Sequence, residues 1–348
     1  MIEATDWLDL QGLRAPVERE DGGNAHVQLQ TGDCLLMLDF SGARYREFAP
    51  VFRRLRELHG SVKTVVYDVL PLRLPQCWPV GAHEWFRGWL EAAIEESDAL
   101  LCISRSVADE LDELMRKGSL PRGRVRHLGY WHLGRDALPH ENDEPPVSDR
   151  VRQTTTSPRT LLMVGTIEPR KNHSLALDAI ERLWARGVDV SLCIAGKQGW
   201  LVEEFMTRID AHRERGRRLH FIAQPTDEEL HHCYRRAAAL LFPSCGEGFG
   251  LPLVEAAHFG TPIIASDLPV LREVAAEHAT YFELGSAGVL AETIEQWFAN
   301  RDGGRVPSSS RIDALTWEES AEQLLEGVLG GRFYRRLDEG NYPTAQFV

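Results

Sequence analysis

No apolar run in the sequence reaches the length of a membrane-spanning helix, which is about 18 residues or more. The first residues, MIEATDWLDLQG, lack the basic start and the apolar core of a secretory signal. Basic residues are outnumbered, with 39 Lys and Arg against 52 Asp and Glu. The resulting net charge of −13 disfavours nucleic acid as a partner. We therefore expect a cytoplasmic protein that binds no nucleic acid.

Cysteine is scarce, and the six residues are scattered without a C-x-x-C pair. Most lie in apolar runs, which predicts buried thiols in a reducing compartment rather than a disulfide or zinc framework. The string HHC at 231–233 resembles a metal cluster, but adjacent helical side chains do not face one site. No Asp-x-Asp pair is present to hold a divalent cation. The sequence therefore predicts neither a metal nor a resident cofactor.

Two nucleotide-binding fingerprints are also incomplete. The string GKQ at 196–198 lacks the upstream glycine and the following Ser or Thr of a P-loop, which disfavours ATPase and kinase chemistry. The string GEGFG at 246–250 lacks the third glycine of the dinucleotide motif.

At about 150 residues per domain, the 348 residues predict two globular domains. The apolar pattern stops between Asp136 and Thr160, where prolines, mixed charges and three consecutive threonines favour a linker. We place the first domain at residues 1–150 and the second at residues 151–320. A helix and tail follow at residues 321–348.

In the second half, short apolar runs alternate with helical patterns, which is typical of βαβ units and a parallel, doubly wound sheet. Such sheets bind ligands at the carboxyl ends of their strands. The predicted strands are 160–165, 190–196, 219–223, 239–244 and 262–266, and the predicted helices are 174–186, 201–215, 227–238, 252–260 and 287–299. The first domain shows fewer pairs, with strands at 34–40, 63–70 and 99–104 and helices near 45–59, 83–96 and 106–117.

The densest candidate site is SCGEGFGLPLVE at 244–255, between a predicted strand and a predicted helix. Its glycines let the backbone approach a ligand closely, and the start of the helix attracts an anion. The alternative is a tight turn in which Glu255 only complements the helix dipole. The full string in this context is far more specific than Glu247 and Glu255 alone.

A second candidate, GTIEPRKN at 165–172, also lies between a strand and a helix. Arg170 can bind a diphosphate through two parallel hydrogen bonds, and Lys171 adds a point charge. An isolated Arg-Lys pair, however, is more often part of a solvated basic turn.

The first domain offers two further candidates. Basic residues in the segment 44–59 accompany apolar residues at helical spacing. This favours either a helix on an anionic membrane surface or a helix that packs its apolar stripe on its own sheet. Asp68, at the end of a predicted strand, can meet a substrate hydroxyl or cap a turn.

Together, VGTIEPRKN, VSLCIAG and ALLFPSCGEGFGLPLVEAAHFGTPIIAS resemble the carboxyl-terminal domain of family-4 retaining glycosyltransferases (glycosyl transferases group 1). YDVLPLRLP and SDALLCISRSVADEL look like landmarks of that family's first domain, so the resemblance covers about residues 31–330. It implies the GT-B fold, an α/β architecture in which two Rossmann-like domains with parallel, doubly wound sheets face each other across a cleft. It also implies that the last helix crosses back to the first domain.

By this resemblance, Arg170 and Lys171 grip the diphosphate and stabilise the departing nucleoside diphosphate without a metal. Glu255 holds the ribose hydroxyls, Glu247 lies at the donor sugar, and Asp68 is the catalytic candidate of the first domain. The other expected donor-binding residues are Gly165, Thr166, Gln224, Gly248, Phe249, Gly250 and Leu251.

The resemblance predicts a retaining transferase that moves mannose, or a 6-deoxyhexose such as rhamnose, from a GDP-linked donor. The acceptor would be a lipid-linked or growing surface polysaccharide such as O-antigen, at the cytoplasmic side of the membrane. A nucleotide-sugar epimerase and a non-catalytic donor-binding domain of a larger polymerase remain alternatives. The chain departs from the family in two places: no opening strand with a Gly-rich turn precedes Leu35, and Tyr67 stands where many relatives carry histidine.

Overall fold

The computed structural model describes residues 27–39, 42–135, 147–155 and 157–337. The strands of these residues form two separate sheets, one of five strands and one of six. Most of the opening thirty residues, the centre of the expected linker and the end of the tail lie outside the described residues.

The first sheet is built from short strands that lie side by side in chain order. Four parallel strands come first: β1 Cys34–Met37, β2 Ser61–Val66, β3 Ala99–Cys102 and β4 His127–Tyr130. The helices are α1 Ala49–Glu57, α2 Leu70–Arg73, α3 Ala82–Glu96 and α4 Arg105–Arg116, with 3-10 turns at Gly42–Phe48 and Pro75–Cys77. The buried runs of β2 and β3 are typical of parallel strands that are covered on both faces.

The second sheet is entirely parallel and doubly wound. Its strands are β5 Thr160–Val164, β6 Ser191–Gly196, β7 Leu219–Ala223, β8 Ala239–Phe242, β9 Ile263–Ser266 and β10 Thr280–Phe282. The strand order is β7-β6-β5-β8-β9-β10, so the direction of winding reverses between β5 and β8. Leu161 of β5 pairs with Leu192 on one side and with Ala239 on the other. Open α/β sheets bind ligands at this point of reversal.

Helices accompany the second sheet along the chain. They are α5 Asp149–Thr154, α6 His173–Ala185, α7 Glu203–Asp210, α8 Asp227–Arg236, α9 Leu251–His258, α10 Pro269–Ala275 and α11 Ala287–Asp302, with 3-10 turns at Pro169–Lys171 and Ser309–Arg311. The expectation of a helix over 201–215 is wrong in its second half, because HRERGRR at 212–218 offers no apolar side chain to bury. The expected linker also contains α5, which the buried side chain of Val151 anchors.

The last helix and strand return to the first domain. Helix α12 Trp317–Val328 is followed by β11 Arg335–Arg336, which pairs antiparallel with β4. The ammonium group of Lys63 donates to the carbonyl of Val328, where a cation complements the helix dipole. Arg335 adds ion pairs to α4.

The basic segment 44–59 packs its apolar side on its own sheet. Phe52 and Leu55 are fully buried in the core of the first domain and are not available to a membrane, whereas Phe48 is 37% exposed. Four of its arginines lie in ion pairs: Arg44–Glu47, Arg46–Glu95, Arg54–Glu57 and Arg56–Glu96. Within the described ranges, no helix combines the length and the hydropathy needed to cross a bilayer.

Candidate functional site

Two loops meet where the strand order of the second sheet reverses. One follows β5 and carries residues 165–172, and the other follows β8 and carries residues 243–250. The amide of Cys245 donates to the carbonyl of Arg170 over 2.8 Å and ties the two loops together. Both sequence motifs therefore present their side chains at one place.

A buried ion cluster joins the loops. The Arg170 guanidinium donates to Oε2 of Glu247 and the Lys171 ammonium donates to Oε1, each over 2.7 Å. A second terminal nitrogen of Arg170 lies 2.6 Å from Oε1 of Glu168. Glu168, Lys171 and Glu247 are each less than a tenth exposed. Charge-assisted bonds of this kind fix the guanidinium between two carboxylates.

Burial and the charges of the cluster together set the pKa values of its carboxyl groups. Burial alone would raise the pKa of Glu247, but the charges of Lys171 and Arg170 outweigh it and hold the pKa below its usual range. Burial dominates at Glu168 and Asp68 and raises the pKa of both. Three carboxyl groups thus surround two cations. A diphosphate at this position would compete with Glu247 for the same two positive charges.

Asp68 brings the first domain to this cluster. It follows β2, and its carboxylate accepts the amide of Leu70 over 2.9 Å, so it caps a turn. The pKa of Asp68 also responds to the charges of Arg170 and Glu247 across the cleft. The turn-capping contact and the place beside the cluster therefore occur together.

The glycine-rich loop adds backbone donors. Gly250 has a φ of +106°, which favours glycine, and turns the chain into α9. No described residue accepts a hydrogen bond from the amides of Gly248, Phe249 or Gly250. Unpaired amides before a helix can bind an anion or a hydroxyl group.

The first domain closes directly onto this loop. A Cβ atom on Gly248 would lie 2.3 Å from the carbonyl oxygen of Tyr67, so the two backbones approach more closely than a side chain permits. The hydroxyl of Ser104 donates to the carbonyl of Gly248 over 2.8 Å. The cleft is therefore narrow at this point.

Glu273 of α10 makes a second contact between the domains. Its carboxylate accepts the amides of Arg105 and Ser106 over 2.7 and 2.8 Å at the start of α4, and lies 2.8 Å from Nε2 of His132. Burial raises the pKa of Glu273, but these hydrogen bonds, with His132 the strongest, outweigh burial and lower it overall. An ionised carboxylate thus joins α10 to α4.

His132 is the first-domain histidine that reaches the glycine-rich loop. Its ring lies 5.5 Å from that of Phe249. Another first-domain histidine, His83, instead lies 3.1 Å from the carbonyl oxygen of Pro71 through its Nδ1. The sequence pattern did not predict β4, because this strand contains only one strongly apolar residue, Leu128. The position of His132 after a strand was therefore not predicted either.

A tryptophan of the first domain stacks on a tryptophan of the second domain. The rings of Trp78 and Trp200 stack with centroids 5.0 Å apart and an angle of 27°. The indole of Trp200 donates to the carbonyl of Cys77 over 2.9 Å. Trp78 follows a turn of the first domain and Trp200 follows β6, so this contact also holds the two domains together.

Replacing both tryptophans should reveal this coupling. In a double-mutant cycle of Trp78→Ala and Trp200→Ala, we expect a coupling of about 1 kcal/mol in the free energy of unfolding, because aromatic pairs contribute about 0.5–1.5 kcal/mol. Urea denaturation of the four proteins measures it. Trp85→Ala, which removes a half-exposed tryptophan, is the control. If the losses in free energy of unfolding for Trp78→Ala and Trp200→Ala are simply additive, the expectation is contradicted.

The remaining predicted residues divide into two groups. Gly165 follows β5 beside Lys171, and a Cβ atom on this glycine would lie 3.7 Å from Cε of the lysine. Leu251 begins α9, which also carries Glu255. In the described part of the chain, no hydrogen bond or ion pair of the cluster involves the side chain of Thr166 or Gln224. Gln224 is exposed after β7 with a φ of 49°.

Other chemistry was either missed or not found. Glu168 lies within the EPRKN string, but only the structure shows that it forms an ion pair with Arg170. Trp78, Trp200 and Glu273 had no local signal, because their partners are remote in the chain. Across the described ranges, no three His, Cys, Asp or Glu side chains are grouped to hold a metal ion, and all six cysteines are free thiols.

Comparison with known proteins extends these observations. The family model for glycosyl transferases group 1 matches residues 148–312. The chain is 34% identical over 322 residues to the serotype-specific mannosyltransferase WbdA of Escherichia coli, covering 91% of the chain but 40% of that protein. It is 30% identical over 302 residues to a glycogen synthase of Mycobacterium tuberculosis, covering 80% of the chain and 68% of that protein. The chain thus spans less than half the length of WbdA.

Among solved structures, the chain is similar to HepE of Anabaena in complex with UDP and glucose. The TM-score is 0.63 at 14% identity, and the match covers 85% of this chain and 78% of that one. At this identity the likeness establishes the fold. It confirms the GT-B architecture of two facing α/β domains.

Proposed function

The chain belongs to the glycosyl transferases group 1 family, and from this premise we propose that it moves a hexose from a nucleotide-diphosphate sugar to a saccharide acceptor. The ion cluster of Arg170, Lys171 and Glu247 carries the proposal. It lies at the point of reversal of a doubly wound sheet, and its cations fit a diphosphate.

We assign mannose as the transferred sugar and GDP as the leaving nucleotide, with a 6-deoxyhexose such as rhamnose as the variant to test. The assignment is supported by 34% identity, over 91% of the chain, to an enzyme named as a mannosyltransferase. The proposed acceptor is a lipid-linked or growing surface polysaccharide at the cytoplasmic face of the membrane. A peripheral membrane contact through 44–59 would rest on its arginines and on Phe48, since Phe52 and Leu55 are buried.

The proposed mechanism uses fixed charges rather than a metal. As the bond between sugar and diphosphate breaks, negative charge grows on the departing phosphate, and Arg170 and Lys171 stabilise it from preset positions. Glu247 faces the donor sugar, while amides of the glycine-rich loop bind sugar hydroxyls or phosphate. Asp68 orients the acceptor hydroxyl from the other side of the cleft. Retention of the anomeric configuration follows the family.

Donor contacts outside the cluster complete the proposed site. Glu255 binds the ribose hydroxyls, and the turn at Gln224 borders the base. Gly165, Thr166 and Leu251 line the diphosphate path through their backbone.

The test is a calorimetric panel of GDP, UDP, ADP and dTDP with and without EDTA. We expect selective binding of GDP that EDTA does not change, followed by mannose transfer from GDP-mannose to a mannosylated lipid-linked acceptor. Selective binding of UDP or dTDP would overturn the donor assignment. Loss of binding in EDTA would overturn the metal-free mechanism.

The two alternatives predict different products. An epimerase converts the donor without any acceptor. The similarity of the chain to a mannosyltransferase and a glycogen synthase favours transfer. A non-catalytic domain would bind nucleotide but turn over no sugar with any acceptor. One assay that follows the donor sugar with and without acceptor distinguishes both alternatives from transfer.

A further inference from the structure

Tyr234 lies behind the proposed nucleotide site and contacts one of its residues directly. The tyrosine is in α8 and is 1% exposed. Its hydroxyl donates to Oε2 of Glu255, in α9, over 2.6 Å. This is a short, charge-assisted hydrogen bond between two neighbouring helices.

The tyrosine is itself fixed in place by its surroundings. Its ring stacks on that of Phe259, with centroids 5.5 Å apart and an angle of 13°. Its backbone carbonyl accepts the hydroxyl of Thr261 over 2.8 Å. The phenol oxygen therefore has little freedom to move away from the carboxylate.

The phenol can only donate to this carboxylate. Burial, together with the nearby negative charge of Glu255, raises the pKa of Tyr234 well above its usual value. The phenol therefore stays protonated and gives its proton to the hydrogen bond. A carboxylate offers about four lone-pair positions, and the bond from Tyr234 occupies one of them.

We infer that Tyr234 is a positioning residue of the donor site: its hydroxyl sets the orientation of the Glu255 carboxylate toward the nucleotide ribose. The inference rests on the proposed function, which assigns the ribose hydroxyls to Glu255. The side chain of a glutamate has three rotatable bonds, and ordering it during binding lowers the affinity for the nucleotide. A carboxylate that is already held in place avoids this cost. Tyr234 itself does not contact the nucleotide and acts through Glu255.

The test compares Tyr234→Phe with Tyr45→Phe. Tyr45 is also 1% exposed, and its hydroxyl bonds Thr64 and Ser97 in the first domain, so the control removes the same atom from an equally buried ring. We measure Kd for GDP and 2′-deoxy-GDP, and for UDP and 2′-deoxy-UDP in parallel. The preference for ribose over deoxyribose should fall about threefold to tenfold in Tyr234→Phe and stay unchanged in Tyr45→Phe.

Donor kinetics provide the second readout. In Tyr234→Phe, KM for the nucleotide sugar should rise about threefold to tenfold while kcat changes less than about twofold, because ground-state and transition-state binding weaken together. Because the ribose preference is a ratio of two affinities of one variant, an unfolded fraction cancels from it. A stability effect alone therefore cannot produce the expected result.

The outcomes separate the two levels of the argument. If the wild-type protein shows no ribose preference, or Glu255→Ala keeps it, the ribose assignment in the proposed function fails. If the wild type has the preference, Glu255→Ala loses it and Tyr234→Phe retains it in full, the proposed function stands and the role of Tyr234 is overturned.

Discussion

Replacing Gly248 with alanine is expected to lower kcat for transfer about 100-fold, while the Kd for the nucleoside diphosphate changes less than about threefold. The added methyl group would lie 2.3 Å from the carbonyl oxygen of Tyr67, which is a backbone atom of the first domain. Since no side-chain rotation relieves the clash, the domains must separate. A displacement of about 1 Å at reacting groups costs about 100-fold in rate.

The binding half of the site should survive this change. Arg170, Lys171 and Glu255 all belong to the second domain, and the amide of Gly248 is retained in alanine. The expected signature is therefore lost turnover with retained nucleotide affinity, measured by steady-state kinetics and calorimetry. Small-angle X-ray scattering should also report a wider separation of the domains.

Two other glycines provide the controls. A Cβ atom on Gly88, in α3, would have open space within 4 Å, so Gly88→Ala should leave turnover unchanged. The atoms nearest to a Cβ on Gly246 are the side-chain ends of Leu70 and Leu74, at 2.7 and 2.6 Å. These ends can move, so Gly246→Ala should lose less activity than Gly248→Ala. Full turnover in Gly248→Ala would show that transfer does not need the closed cleft.

The second domain was largely predictable because its signals are local. The run LHFIA at 219–223 is strand β7 in full, and the alternation of such runs with helices defines the doubly wound order. Since Arg170 and Glu247 both follow strands, a parallel sheet brings them to the same edge. Their direct ion pair follows only from β5 and β8 being neighbours.

The rest of the site depends on contacts that local patterns do not encode. Strand β10 has three residues and β4 has one strongly apolar side chain, so neither produces a periodic signal. The stack of Trp78 on Trp200 and the capping of α4 by Glu273 join residues of different domains. The pattern of the basic segment 44–59 is compatible with a membrane surface and with packing on its own sheet. Only the tertiary structure shows that Phe52 and Leu55 pack in the core.

Replacing Glu247 with glutamine is expected to lower kcat about 100- to 1,000-fold, equivalent to about 2.7–4 kcal/mol, and also to reveal the competition between this carboxylate and the diphosphate. The variant leaves Arg170 and Lys171 buried without the charge of Glu247. Removing one partner of a buried ion pair destabilises a protein by about 3–5 kcal/mol, so Tm without nucleotide should fall. A bound diphosphate supplies the missing negative charge.

The gain in Tm on adding the nucleoside diphosphate should therefore be larger in Glu247→Gln than in the wild type, with Kd unchanged or tighter. Glu214→Gln is the matched control. Glu214 is also buried, and its carboxylate lies 3.1 Å from Nε of Arg218. This ion pair does not belong to the two site loops. That variant should lose stability without losing turnover, and its gain on adding nucleotide should equal that of the wild type. If the two variants respond alike to nucleotide, the cations of the cluster do not meet the diphosphate. If instead Glu247→Gln keeps its turnover, the carboxylate only balances charge in the empty site and takes no part in transfer.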